Sequence, residues 1–382
     1  MTADEDSSHY PSIAQLTASQ KKKISQLREA VKEDVAAYPD YDTDLTYLRW
    51  LAGYDYDMDT IVPRLKWTLN THRLLDYNFP PFDDPEEIND YIRELNPASE
   101  YFPGGVMGLS ARGDVVYVQA VAGVDMGTVV KAGPVSELFR LVASEMEAIH
   151  SFIRWRETTT GQKIGARIIV DLAGFSKDLL NMPVLKIYMN LLDLMQKLSP
   201  DMGRCIYVLN APGYISATYS MMSAVLSAQT KKKVQFLDKN WKEVLCKEIG
   251  PDHLLTAWGG RKKSSNGLPT GKIRMGGVLP TAMWYTPIPI DDDSKMDKIT
   301  VGARTSEAVK VNGKAGSKLK WIFKLSSGDI DFFAWPKMRL STEFVPEFGS
   351  FTCQSDGEYS FVFDNGHGKI FSKDVKYRIL LE

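Results

Sequence analysis

Three cysteines in 382 residues, Cys205, Cys246 and Cys353, are too few and too widely spaced for a disulfide framework or a paired Cys-x-x-Cys metal site. Apolar runs are short: none approaches the roughly 18 to 20 residues needed to span a bilayer, and the acidic start Met1-Thr2-Ala3-Asp4-Glu5-Asp6 has no apolar leader segment. There is no Asn-x-Ser/Thr acceptor, so a reducing, cytoplasmic location is expected. A formal net charge of −2 excludes the global basic field that nucleic acid or strong adsorption to anionic membrane would call for, so any anion site must be local. Enzyme signatures are missing too: no Gly-x-Ser-x-Gly elbow, no Gly-x-x-x-x-Gly-Lys-Ser/Thr loop and no His-Glu-x-x-His. Gly104-Gly105-Val106-Met107-Gly108 lacks dinucleotide spacing, and the five histidines are scattered. These absences speak against catalysis, leaving only a triad assembled from distant residues.

What is present is a chain with 44% hydrophobic and 25% charged residues, long enough for two or three globular units. Thr17 and Gln20 match a capping box, followed by Ile24, Leu27, Val31 and Val35 at helical spacing. A second helix is expected from Asp42-Thr43 with Leu45, Leu48 and Leu51, and a third after Asp57 or Asp59 with Ile61, Leu65 and Leu69. Pro63 removes a donor, so a late start or a kink is expected there. Residues 12–78 thus read as a small helical bundle.

Beyond Phe79-Pro80-Pro81-Phe82, apolar strand-like runs (Val115 to Val121, Arg167 to Leu172, Cys205 to Leu209) alternate with helical patterns beginning at Pro134 and near Val184, the mark of an α/β unit over 85–261. Arg261 to Gly277, rich in Lys, Ser and Gly, reads as a linker. Period-two stretches such as Lys318 to Leu325 and Glu358 to Phe363 make 278–382 an antiparallel β-sandwich, with Trp321, Phe323, Tyr359, Phe361 and Phe363 facing inward.

The segment from Ser199 to Gly260 carries the most information: Pro200-Asp201, the strand at Cys205, the apolar run Tyr214 to Ala228, then Thr230-Lys231-Lys232-Lys233, and Trp258-Gly259-Gly260. In this it resembles the Sec14-like (CRAL-TRIO) lipid-binding family, and Gly357 to Asn365 resembles a GOLD domain. The resemblance implies an apolar cavity holding one lipid, either a phospholipid or an isoprenoid or sterol-like molecule, under a gate helix. The lipid would be transferred or presented between membranes without covalent chemistry or any cofactor beyond the lipid itself. It also implies transient peripheral membrane contact and a protein partner for the GOLD unit. The alternative is a GOLD-mediated trafficking or signalling scaffold in which the lipid is regulatory.

Carried onto this sequence, the gate and cavity would comprise Tyr214, Ile215, Tyr219, Met222, Val225 and Leu226, and the head-group site Asp201, Thr230 and Lys233. Members that bind phosphatidylinositol present an arginine where this chain has Tyr54, so one cation of their phosphate site is replaced here. Asp171-Leu172-Ala173-Gly174 matches the family but reads as a turn cap, and Trp241 and Gly259-Gly260 read as structural.

Overall fold

The computed structural model describes residues 9–75, 77, 79–175, 182–215, 219–220, 223–333 and 338–382. These form two compact units, one from the residues up to Asp125 together with Leu141–Val278, the other from Met126–Arg140 together with Leu279–Glu382.

In the first unit, Thr17 caps helix α1 (Ala18–Ala30): its hydroxyl accepts from Gln20 N–H at 3.2 Å while its own N–H donates to Gln20 Oε1 at 2.9 Å. Thr43 caps α2 (Asp44–Gly53) through Thr46 N–H. Helix α3 (Met58–Leu75) runs through Pro63 with no late start, because Asp57 ties down its first turn by accepting from Thr60 Oγ1 at 2.7 Å and Ile61 N–H at 2.9 Å. Ile24, Leu27, Leu45, Leu48, Leu51, Ile61, Leu65 and Leu69 make the core of this bundle, as their spacing requires.

Helix α4 (Glu87–Leu95) leads to a five-stranded sheet of order β1–β2–β3–β4–β5: Gly105–Leu109, Val115–Ala120, Ala166–Asp171, Gly203–Leu209 and Val234–Phe236. The strands β2 to β5 run parallel and β1 is an antiparallel edge. Crossovers pass through α5 (Val135–Thr160), α6 (Met182–Leu198) and α7 (Ala228–Lys233), and α8 (Trp241–Ile249) follows β5. Alternation along the strands sends Val116, Val118, Ile169, Cys205, Tyr207 and Leu209 into one core with Leu245, Ile249 and Trp258. The opposite faces of β2 to β4 form the floor of a cavity, so these strands are not embedded in packed core on both sides. Asp171 caps its turn as read: Oδ1 accepts from Ala173 N–H at 3.0 Å and Oδ2 from Trp258 Nε1 at 3.1 Å. A Cβ at Gly260 would lie 1.8 Å from the Leu254 carbonyl oxygen, which accounts for glycine there.

Arg261–Gly277 is no linker. Arg274 is fully buried, donating to both Glu145 oxygens at 2.7 and 2.9 Å, while Lys262 pairs with Glu86 and Lys272 with Asp90. Lys, Ser and Gly content signals flexibility only when the charges face water, and here Lys262, Lys272 and Arg274 are paired. Met126–Arg140, inside the stretch read as one domain over 85–261, belongs instead to the second unit: Tyr285 N–H donates to the Lys131 carbonyl at 2.7 Å, the Lys131 ammonium lies 4.1 Å from the Trp284 ring, and Ser136 donates from N–H (3.3 Å) and Oγ to buried Glu347. A cut at Gly277 therefore does not fall between the units.

The second unit is a sandwich of two four-stranded antiparallel sheets, β10–β9–β12–β7 and β11–β8–β13–β6. In order these are β6 Asp297–Val301, β7 Ser306–Gly313, β8 Lys318–Leu325, β9 Asp329–Phe333, β10 Met338–Ser341, β11 Glu347–Thr352, β12 Gly357–Asp364 and β13 Lys373–Leu381. Phe323 of one sheet meets Phe332 and Phe363 of the other at ring separations of 4.7 and 5.2 Å, with Trp321 and Phe361 beside them. Tyr359 is only half-buried, its hydroxyl donating to the Ser355 carbonyl at 2.7 Å.

A buried charge cluster joins the helical bundle to α5. Glu147 accepts from Tyr41 Oη at 2.8 Å and Arg154 at 2.6 Å, with His72 and His150 alongside, and Arg49 donates to Glu157 at 2.6 Å. Burial pushes His150 down to about 3, and against burial Arg154 and the two histidines hold Glu147 at about 2. Both folded values lie below the unfolded ones, so both groups contribute stability at neutral pH that is lost on acidification. The melting temperature of the first unit is expected to fall steadily from pH 6.5 toward pH 3, and His150→Leu to flatten the upper part of that slope. Thermal melts across this range check it; an unchanged slope in the variant would remove His150 from the account.

Candidate functional site

The cavity, about 390 Å³, lies inside the first unit and is predominantly apolar. Its floor is Tyr117 and Gln119 of β2, Ala166 and Ile168 of β3, and Gly203 and Ile206 of β4. Val142, Met146 and Ile149 of α5 and Tyr188, Leu191, Leu192 and Met195 of α6 form its walls. A few polar groups line the apolar space, each tied to a neighbour: Tyr117 Oη donates to Glu145 at 3.1 Å and Tyr188 Oη to Gln119 at 3.2 Å.

At the β4 to β5 end sits Asp201. It adopts φ +55°, a left-handed conformation aspartate tolerates, which turns its carboxylate inward. Oδ2 accepts from Lys163 Nζ at 2.6 Å; Oδ1 accepts from Lys233 Nζ at 2.6 Å and lies 2.7 Å from His9 Nε2. Their side chains are 1%, 0% and 9% exposed for Asp201, Lys163 and Lys233. Burial alone would raise the Asp201 carboxyl, but Lys163, His9 and Lys233 hold it well below its ordinary value. Burial pushes Lys163 down to about 8 in spite of Asp201. Two lysines thus share one carboxylate beside the cavity. The structure thereby brings Asp201 and Lys233 together, with Lys233 also donating to the Gly203 carbonyl at 2.7 Å.

Thr230 lines the same end. Its N–H donates to Ser227 Oγ at 3.0 Å and its hydroxyl to Gln196 Oε1 at 3.3 Å. Gln196 of α6 also receives Ser227 N–H at 2.7 Å and donates to the Val225 carbonyl at 2.7 Å, so one amide holds the chain from Val225 to Thr230. Of the residues read as gate, Val225 and Leu226 line the cavity, whereas Tyr214, Ile215 and Tyr219 are not among its lining residues. Tyr214 Oη donates to the Phe175 carbonyl at 2.7 Å, and Tyr219 meets Phe236 edge-on at 5.0 Å. Met222 lies outside the described residues, as do 216–218 and 221 of the run read as a helix.

Sequence reasoning noted the missing arginine at Tyr54 and did not single out Arg64. Arg64 of α3, also on the cavity lining, stands over the Tyr54 ring at 5.3 Å, and among the described residues no carboxylate lies within ion-pair distance of it. The signal was a lone arginine one helix later, which no spacing rule connects to Tyr54. Lys163 and His9 were likewise missed, lying 38 and 192 residues from Asp201.

Ser199 Oγ lies 3.2 Å from His150 Nδ1, but Glu147 approaches that same nitrogen (4.0 Å) and Nε2 has no partner, so no relay runs through the imidazole. Among the described residues no group of three or more His, Cys, Asp or Glu is placed to hold a metal, and no helix is long and apolar enough to cross a membrane.

Residues 105–260 match the model of the CRAL/TRIO domain. Protein real-time of Drosophila melanogaster is 25% identical over 313 residues, 78% of this chain and 43% of that protein. CRAL-TRIO domain-containing protein F28H7.8 of Caenorhabditis elegans is 24% identical over 245 residues, 62% of this chain and 57% of that protein. The chain therefore spans roughly half the length of these curated relatives. The crystal structure of Sfh5 aligns with 71% of this chain and 92% of its own at 16% identity, TM-score 0.41.

Proposed function

We propose, from the premise that this chain is a CRAL/TRIO-domain protein of the Sec14-like kind over residues 105–260, that it holds one amphiphilic lipid in the cavity and carries or presents it between membranes. The observation that supports this most directly is a 390 Å³ space floored by one face of a parallel sheet, apolar along its length and cationic at one end. Its volume falls in the roughly 300–1,000 Å³ range of small-molecule sites. Burying a hydrocarbon chain there contributes about 0.8 kcal/mol per methylene, enough to offset extraction from a bilayer.

The lipid head belongs at the Asp201 end. Thr230 offers a hydroxyl, Lys233 and Lys163 share one carboxylate, and Arg64 supplies the cation that Tyr54 does not. Val225 and Leu226 lie over the tail, and Gln196 holds the chain from Val225 to Thr230 beside it. The C-terminal sandwich, which resembles a GOLD domain, is assigned the role of addressing the protein to a partner.

Loading the protein from vesicles containing either phosphatidylinositol or a neutral isoprenoid tests the head-group assignment. Replacing Arg64 and Lys233 together by alanine is expected to reduce phosphatidylinositol retention roughly tenfold or more, the loss of charge-assisted hydrogen bonds, with little effect on the isoprenoid. Equal losses for both would place these cations in a solvated surface instead.

A further inference from the structure

The loop between β12 and β13 is tied down at its base and apolar at its tip. Asn365, fully buried, donates from its side chain to the carbonyls of Phe371 (2.9 Å), Gly302 (3.2 Å) and Val301 (3.3 Å); its backbone carbonyl accepts from Arg304 and Gly368 N–H. His367 Nε2 lies 3.2 Å from Asp329. A loop fixed in this way has the means to turn its large side chains inward, yet Ile370 and Phe371 stand 78% and 76% exposed, the highest values among the large apolar residues described. They are flanked by Lys369 and Lys373, and Arg304 adjoins Asn365 from the neighbouring turn. Among the described residues none of these three cations has a carboxylate within ion-pair distance. The nearby carboxylates are turned to other work at the loop's base: Asp329 toward His367, Asp364 to Gly366 N–H at 2.7 Å, and Asp374 to Thr300 Oγ1 at 2.7 Å.

We infer that Ile370 and Phe371 form a wedge by which the C-terminal unit docks on an anionic lipid surface, the aromatic and aliphatic side chains entering the interface while Lys369, Lys373 and Arg304 meet the head groups. Two adjacent large apolar side chains held in water by a loop tied at its base are unfavourable for a chain with no surface to meet. Lysines on both sides of the pair in sequence, with no carboxylate within ion-pair distance among the described residues, favour a negatively charged interface over a purely apolar protein groove. The wedge is independent of the cavity: it concerns where the protein docks, and its failure would leave cargo binding untouched.

Co-sedimentation of the full chain with phosphatidylcholine vesicles, with and without phosphatidylserine, tests this. The unaltered protein is expected to partition onto phosphatidylserine-containing vesicles and to be released by salt, in keeping with screening over about 10 Å at 0.1 M. Ile370→Ser with Phe371→Ser should lower that partition at least tenfold. Lys369→Glu should lower it about tenfold on phosphatidylserine vesicles and leave phosphatidylcholine vesicles unaffected, each lysine near such a surface acting at roughly a fivefold level. Because these side chains are exposed, melting temperature and cargo loading should stay as in the unaltered protein. Binding of the serine variant equal to that of the unaltered protein, or failure of the unaltered protein to bind either vesicle, would overturn the inference.

Discussion

Replacing Asp201 by asparagine is expected to destabilise the first unit by about 3–5 kcal/mol, the usual cost of leaving buried charges without their partner. Lys163 and Lys233 both donate to this carboxylate at 2.6 Å and almost no water reaches either. For a unit of this size the melting temperature would drop on the order of 10 °C. The variant should also acquire a pH dependence of known sign. Lys163, already driven down to about 8 from 10.5, would lose its proton more readily still. A lysine whose folded value lies below its unfolded one costs stability while protonated, so Asp201→Asn should regain stability as pH rises from 7 toward 10. Adding Lys163→Met should recover much of the loss at pH 7. Thermal melts of the single and double variants decide: if Asp201→Asn melts as the unaltered protein does, the cluster is solvated and the cationic end of the cavity is misassigned.

The second large effect is expected at the cavity floor. Ile168 and Ile206 face each other in register on β3 and β4 and both point into the open space. Tryptophan at both positions would fill much of the 390 Å³ without displacing packed core, since the added rings enter space not occupied by protein. Overpacking a filled core costs about 1–3 kcal/mol; here the change in stability should stay below that, while lipid uptake from vesicles falls tenfold or more. Uptake at the unaltered level would mean that the lipid is held elsewhere on the chain.

Much of this architecture was legible in the sequence because it rests on local rules. The Thr17 to Gln20 capping box, the turn cap at Asp171 and the period-two stretches of the sandwich each follow from hydrogen bonds or burial within a few residues, and each is found where its pattern lies. What was not legible depends on residues far apart in the chain. His9, Lys163, Asp201 and Lys233 converge only because β3, β4 and the end of α7 are neighbours in the sheet. Arg64 meets Tyr54 across two helices. The segment 126–140 reads as part of an α/β unit because its local pattern is helical, and only its contacts with Trp284, Tyr285 and Glu347 assign it to the sandwich. Arg261–Gly277 misled for the converse reason: composition reports polarity, and Arg274 is a polar residue whose charge is met by Glu145 in the interior. The alternation of β2 to β4 was likewise ambiguous, since a strand face lining a cavity is as apolar as one packed in a core.

Organic extraction and mass spectrometry of the purified chain, after incubation with mixed-lipid vesicles, decide whether the first unit encloses a lipid in its apolar cavity. About one molecule of a single amphiphile class per chain is expected, absent when Ile168 and Ile206 are both tryptophan. Extracts free of lipid, or an equal lipid content in the unaltered and filled proteins, would contradict it.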